Sequence, residues 1–205
     1  MEPNVEIRRL IDIMPASGRM TTKIISKPEQ TKVIDVAFPL PWNQDRPIYI
    51  NFDLWRRFPK PQRDMLMLHT VSWLTNVKWF KPDIYQGVVV GGLLGGIVES
   101  TQQDAVGIVA ALGLSGMGIM RIWRMNNSQE SEINADNAAL GVAQRRGYSE
   151  VEAAEHLLAA IEALPKIEGR SGLDFNELVR CQNLKAIAGF SAVGIPKKSA
   201  KTEYK

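Results

Sequence analysis

Two apolar, glycine-rich stretches without any charge constrain this 205-residue chain more than any other feature. They cover residues 84–98 and 105–120, and the turn between them carries only Glu99 and Asp104 as charged residues. As helices they would span roughly 22 to 24 Å at 1.5 Å per residue, while the hydrocarbon core of a bilayer is about 30 Å thick. Length alone therefore favours two buried core helices.

Three further features of these stretches favour a membrane. Overlapping G-x-x-x-G spacings allow two helices to approach closely in lipid, and the residues that form them are Gly87, Gly91, Gly92, Gly95 and Gly96. Aromatic residues stand at the outer ends, where interfacial belts lie. The outer flanks of the two stretches are basic and the turn between them is acidic. Because the cytoplasmic flanks of membrane helices are enriched in lysine and arginine, this asymmetry predicts that the outer ends face the cytoplasm. We therefore predict a membrane helical hairpin over residues 83–123, in contact with lipid and with both termini cytoplasmic.

Two other arrangements remain open for the same residues. The stretches could pack inside a soluble helical protein as buried glycine-rich helices, or the hairpin could lie on a membrane surface. The remaining composition is ordinary for a globular chain, with 45% hydrophobic and 23% charged residues. A net charge of +3 does not indicate a nucleic-acid partner, and a single cysteine, Cys181, excludes an internal disulfide.

Residue periodicity indicates an α+β fold, mostly helical, with a small N-terminal sheet and the two-helix membrane hairpin. β-branched residues alternating with polar ones predict three strands over residues 23–25, 32–38 and 47–52, without fixing their pairing. Helical spacing and capping signals predict the other helices, over residues 5–14, from 62 to before Pro82, 129–146, 150–164 and 174–187. In the helix from 150, Pro165 is expected to end the helical run.

These predictions divide the chain into five parts. Residues 1–20 form an N-terminal segment, 21–82 hold the strands and the long helix, and 83–123 form the hairpin. Residues 124–190 form a C-terminal helical part, and 191–205 a disordered basic tail.

The long helix carries the histidine with the most chemical interest. His69, Thr70 and Trp73 occupy the positions of an H-E-x-x-H zinc helix, which needs histidines at i and i+4 and a glutamate beside the first. Threonine stands where that glutamate would be, and tryptophan where the second histidine would be. His156 has no second histidine or cysteine at ligand spacing, which favours a surface or core role. The sequence therefore predicts no metal or other cofactor.

The order of these segments resembles the catalytic core of the HtpX/CAAX-protease class of membrane zinc metallopeptidases. The resemblance rests on the strand-like runs 33–41 and 48–50, the helix carrying His69, the hairpin, and Glu132-Ile133-Asn134-Ala135-Asp136, which is similar to an E-x-x-A-D motif. It covers about residues 32–185. The overall layout also resembles an uncharacterised cyanobacterial domain-of-unknown-function family, which implies an inner or thylakoid membrane.

The metallopeptidase resemblance implies a degenerate metal site formed by His69, Thr70, Trp73, Glu132 and Asp136. His69 takes the place of the first zinc ligand and Glu132 that of the third, whereas Thr70 and Trp73 replace the base and the second ligand. Because a catalytic zinc site needs three protein ligands, the remaining pair implies a protein without peptidase activity. The expected function is that of a membrane-anchored binding or scaffold protein whose partner is another membrane protein.

Two alternatives to this function stay open. The chain could be an active membrane-bound metal-dependent hydrolase with an atypical site, using Glu132, Asp136 and His69. It could also be a soluble helical protein, in which case the likeness to peptidases is incidental. Glu132 and Asp136 are one helical turn apart, so they form either a paired-carboxylate site or two ordinary charges on an exposed face.

Overall fold

The computed structural model describes residues 2–39, 45–76 and 129–190, and seven helical positions between the last two ranges: Gly91, Leu94, Val109, Gly113, Gly116, Met117 and Met120. Apart from those positions, the predicted hairpin (83–123) lies outside the described residues, and so does the predicted tail (191–205). In the described ranges, no helix combines the length and the apolar character that crossing a membrane requires.

The described residues form a mostly helical α+β fold with one small sheet, as predicted. The helices are α1 (Pro3–Ile13), α2 (Ala16–Thr21), α3 (Phe52–Trp55), α4 (Lys60–Asn76), α5 (Gln129–Gln144), α6 (Glu150–Glu168) and α7 (Phe175–Ile187). The strands are β1 (Thr22–Ser26), β2 (Ile34–Val36) and β3 (Arg46–Ile50). The sheet order is β1-β3-β2, with β1 parallel and β2 antiparallel to β3. Strand β2 therefore lies at an edge.

Two short helices were not predicted from the sequence. Helix α2 packs against α4 at Gly18, where any side chain would overlap Val71. Helix α3 follows β3 directly, because the Asn51 side chain accepts hydrogen bonds from the backbone N–H groups of Asp53 and Leu54. That cap ends the strand at Ile50 and begins the helix at Phe52, whereas the sequence pattern predicts a strand that extends to Phe52.

The prediction that Pro165 ends the sixth helix is wrong. Helix α6 continues through Pro165 to Glu168 and ends at Gly169, which adopts a left-handed conformation with φ 73°. The additional turn is held by tertiary contacts: Ile167 packs against the core, and the Glu168 carboxylate accepts a hydrogen bond of 2.8 Å from the Val33 backbone N–H. The capping signals that predict the last two helices are both confirmed: Ser149 with Glu152, and Asp174 with Glu177, form capping boxes.

Helix α4 is the centre of the described fold. Every residue from Asp64 to Leu74 is buried, because two hydrophobic clusters pack on different sides of the helix. One cluster joins α4 to the sheet and to α1 and α3, and the other joins it to α5, α6 and α7. A helix surrounded in this way buries its polar side chains too, and those side chains require partners.

The first such polar side chain, Asp64, belongs to a buried charge network with the N-terminal helix. Arg9 of α1 pairs with Asp64 and also donates two hydrogen bonds to Glu6, of 2.9 and 2.7 Å. Glu6 accepts two more, from Arg63 at 2.8 Å and from the indole of Trp55 at 3.1 Å. The Tyr148 hydroxyl donates to Asp64 at 2.9 Å. This network fixes α1 against α4.

Replacing Glu6 with alanine should lower the free energy of unfolding by about 3 kcal/mol, because two arginines and an indole N–H lose their buried acceptor. The matched control is Asp53→Ala, whose partner Arg56 lies 3.4 Å away in a pair of largely exposed side chains. That change should remain within about 1 kcal/mol. Chemical denaturation of both variants measures the difference, and equal losses would contradict a structural role for the network.

Candidate functional site

A cavity of about 250 Å³ opens between strand β2 and helix α4. All three residues of β2 line it, and the α4 helix contributes residues one turn apart on its facing side. The described lining residues are Lys32, Ile34, Asp35, Val36, His69, Thr70, Trp73 and Glu132. The strand side therefore presents Ile34 and Val36 together with the Lys32–Asp35 ion pair, and further polar groups lie where α4 meets α5.

His69 lies at the bottom of this region between two carboxylates of α5. Its Nε2 is 3.2 Å from Oε2 of Glu132, and its Nδ1 is 2.7 Å from Oδ1 of Asp136. The second contact is close but poorly aligned for a hydrogen bond. Residues four apart on a helix share one face, which is why both carboxylates reach the same imidazole.

Arg180 of α7 completes the group of charges. Its Nε and Nη2 donate hydrogen bonds of 2.9 and 2.8 Å to the two oxygens of Asp136, and its Nη1 lies 3.5 Å from Oε2 of Glu132. Asp136 is completely buried, and Arg180 is only 8% exposed. We call His69, Glu132, Asp136 and Arg180 the charge tetrad. It contains two carboxylates and up to two cations.

The environment shifts the pKa of each member toward its charged form. Burial and the Arg180 charge disfavour protonation of His69, but Asp136 and Glu132 outweigh them and raise its pKa. Burial would raise the pKa of Asp136, yet Arg180 and His69 lower it below its usual range. Burial acts on Glu132 in the same way and is likewise outweighed by His69 and Arg180, so its pKa is lowered. Each shift therefore favours the charged form of its group, and the two carboxylates are stabilised by the positive charge beside them.

The structure brings together all five residues of the predicted degenerate metal site. Thr70 lines the cavity and donates its hydroxyl to the Leu66 carbonyl at 2.8 Å. Trp73 also lines it and packs edge-on against Phe38, with ring centroids 6.2 Å apart. His156 is elsewhere, edge-on to Tyr148. The helix-packing glycines lie outside the described residues except Gly91, which is helical and exposed.

In the three described ranges, no group of three or more His, Cys, Asp or Glu side chains is arranged to hold a metal ion. The physical reason lies in Arg180. Its guanidinium donates hydrogen bonds to both oxygens of Asp136, so this carboxylate is not available to join His69 and Glu132 as a third metal ligand. The contacts of Glu132 within the described chain are made through Oε2, and Oε1 has none.

Arg180 is the member that sequence reasoning missed. A signal was present, because Arg180 stands next to Cys181 and one turn before Leu184, both buried, and so interrupts the apolar face of α7. A charge on such a face indicates a buried partner. The partner itself could not be identified, since Asp136 is distant in sequence.

Residues 8–148 match the family described as "Protein of unknown function (DUF3318)". The chain belongs to this family. It is also 25% identical over 162 residues to the "Thylakoid membrane protein slr1949" of Synechocystis sp., covering 78% of this chain and 76% of that protein. No solved structure matches. The expected relation to an uncharacterised cyanobacterial family is thereby confirmed, whereas neither match relates this DUF3318 chain to a peptidase.

The charge tetrad should make stability fall as the pH rises. Because the pKa of His69 is raised above its ordinary 6.5, protonated His69 stabilises the fold fully below about pH 6.5, and this stabilisation is lost as the pH rises through the raised value. Asp136 acts oppositely: its lowered pKa gives stability that is present above its ordinary value of 3.8 and is lost on acidification.

The measurement is the free energy of unfolding from about pH 6 to 9 for the wild type and for His69→Gln. The difference between the two should shrink across this range. The matched control His156→Gln removes the histidine outside the tetrad and should preserve the wild-type slope. If His69→Gln also keeps that slope, His69 is not the titrating group.

Proposed function

We propose that this protein is a membrane-anchored binding or scaffold protein, built like an HtpX/CAAX-class metallopeptidase but without peptidase activity. The observation that carries the proposal is the position of Arg180. In a zinc peptidase, a dication would be held by His69 and Glu132 and would activate water. Here a guanidinium neutralises the carboxylates instead, and it can neither generate a hydroxide nucleophile nor leave an open coordination position.

The membrane part of the proposal has two supports. The relative from Synechocystis is named a thylakoid membrane protein, and residues 83–123 have the pattern of a helical hairpin. We propose that this hairpin inserts with both termini on the cytoplasmic side of an inner or thylakoid membrane. Its glycines would form the contact between the two helices.

The described positions inside the proposed hairpin also favour an apolar environment. Leu94, Val109, Met117 and Met120 are helical and more than half exposed. Large apolar side chains exposed at four positions favour contact with lipid or with another membrane protein.

A zinc titration tests the role of Arg180. We expect the purified wild-type protein to contain far less than one zinc per chain by elemental analysis. Thr70→Glu with Trp73→His restores the zinc-helix pattern, and adding Arg180→Gln should strengthen zinc binding at least about tenfold over the double variant, because a cation beside the metal is removed.

The same variants carrying His69→Ala serve as controls and should lose the gain. Circular dichroism shows which of them fold. Stoichiometric zinc in the wild type that disappears in His69→Ala would contradict the proposal and favour the active metal-dependent hydrolase.

Membrane anchoring is tested by washing cell membranes with alkaline carbonate. The wild type should stay in the pellet, since a spanning hairpin is not released by removing electrostatic contacts. A control in which residues 84–120 are replaced by a glycine/serine linker should move to the supernatant. Release of the wild type would contradict insertion.

A further inference from the structure

We infer that an extended polypeptide segment adds, as a fourth strand, to the edge of β2 that pairs with no described strand, and places a lysine or arginine side chain in the cavity beside Glu132. This inference rests on the proposed binding function and names the partner's chemistry. The cavity alone would suit many ligands, but a whole edge strand in its wall favours a main-chain ligand over a small molecule.

The first argument concerns the backbone of β2. Asp35 stands opposite Tyr49 in the antiparallel pair, and the Val33 carbonyl accepts from the Asn51 N–H at 3.0 Å. Because hydrogen bonding alternates along an antiparallel strand, the N–H and C=O groups of Ile34 and Val36 point away from β3. No strand pairs with that side in the described part of the chain. Such an edge is a template for another strand.

The second argument concerns the shape of the cavity. Its volume of about 250 Å³ is below the roughly 300 Å³ at which pockets for drug-sized molecules begin. Ile34, Val36 and Trp73 give it apolar walls, which suit the methylene stem of a long side chain. The space therefore fits one long side chain of a bound strand.

The third argument concerns the groups at the polar end. Glu132 offers Oε1, which has no contact with the described residues, and the Thr70 hydroxyl can accept because its proton is donated to Leu66. The cationic lining residues are already paired: His69 with the tetrad carboxylates, and Lys32 with Asp35 at 2.8 Å. The polar end thus offers acceptors, which favours a basic side chain over an acidic one.

Binding of defined peptides to the full-length protein in detergent tests the side-chain preference. The probes are fluorescein-labelled Thr-Val-Thr-X-Thr-Val-Thr amides with lysine, arginine, alanine or glutamate at X, measured by fluorescence anisotropy. Lysine and arginine peptides should bind at least about tenfold tighter than the glutamate peptide. Equal affinities, or no binding of the basic peptides, would overturn the inference.

Backbone methylation of the lysine peptide tests strand addition directly in the unaltered protein. Only alternate N–H groups of an added strand face β2, so methylating one alternate set should weaken binding about tenfold or more, and methylating the other set should leave it nearly unchanged. Equal effects of the two sets would rule out main-chain pairing.

Variants locate the peptide in the cavity. Glu132→Gln should remove the preference for lysine over alanine, while Glu130→Gln, an exposed acid on the same helix, should retain it. Deletion of residues 191–205 should not change the affinity; a gain would identify this basic tail as the occupant and overturn the inference.

The readouts separate this inference from the proposed function. Mass spectrometry of the incubated peptides and zinc analysis report on catalysis alone. If the peptides stay intact, the protein contains no zinc and basic peptides bind no better than the others, only the inferred peptide specificity is refuted. Cleaved peptides with stoichiometric zinc would refute the non-catalytic function.

Discussion

The burial of α4 on every side is the constraint on which the rest of the structure depends. A helix with hydrophobic clusters on different sides cannot direct its polar side chains into water, so Asp64 and His69 must find partners inside the protein. Asp64 finds them in Arg9 and Tyr148, and His69 in Glu132 and Asp136. These two buried ionisable groups of α4 thereby connect it to α1, to α5 and to Tyr148.

The charge tetrad adds less to net stability than the number of its ion pairs suggests. Desolvating four ionised groups consumes most of the attraction among them, and buried ion pairs can often be replaced by apolar residues without loss. Removing a single member of the tetrad is expected to lower the free energy of unfolding. The reason is that a buried charge, such as that of the fully buried Asp136, would lose its partner. A shift of α4, α5 or α7 along its axis would separate some of these four groups, which disfavours such arrangements.

Local signals in the sequence were sufficient for much of the fold. Capping boxes depend on residues three apart, and those at Ser149 and Asp174 could be located from the sequence. Distant contacts explain what was missed. Pro165 stays inside α6 because Glu168 reaches the Val33 N–H, and Arg180 is buried because Asp136 receives it. Likewise, His69 and Glu132 could be identified as candidate site residues from the sequence, but Arg180 could not.

The family match covers three of the four residues of the charge tetrad and leaves out the fourth. Residues 8–148 include the sheet, α4 and both tetrad carboxylates, but not α7, which carries Arg180. The electrostatic requirement is independent of that boundary, since two carboxylates around a buried imidazole repel each other unless positive charge lies between them. A related chain with the same pair of carboxylates can obtain that charge from a guanidinium, from a protonated histidine or from a metal ion. In the present chain the Arg180 guanidinium lies beside both carboxylates, next to an imidazole whose pKa is raised.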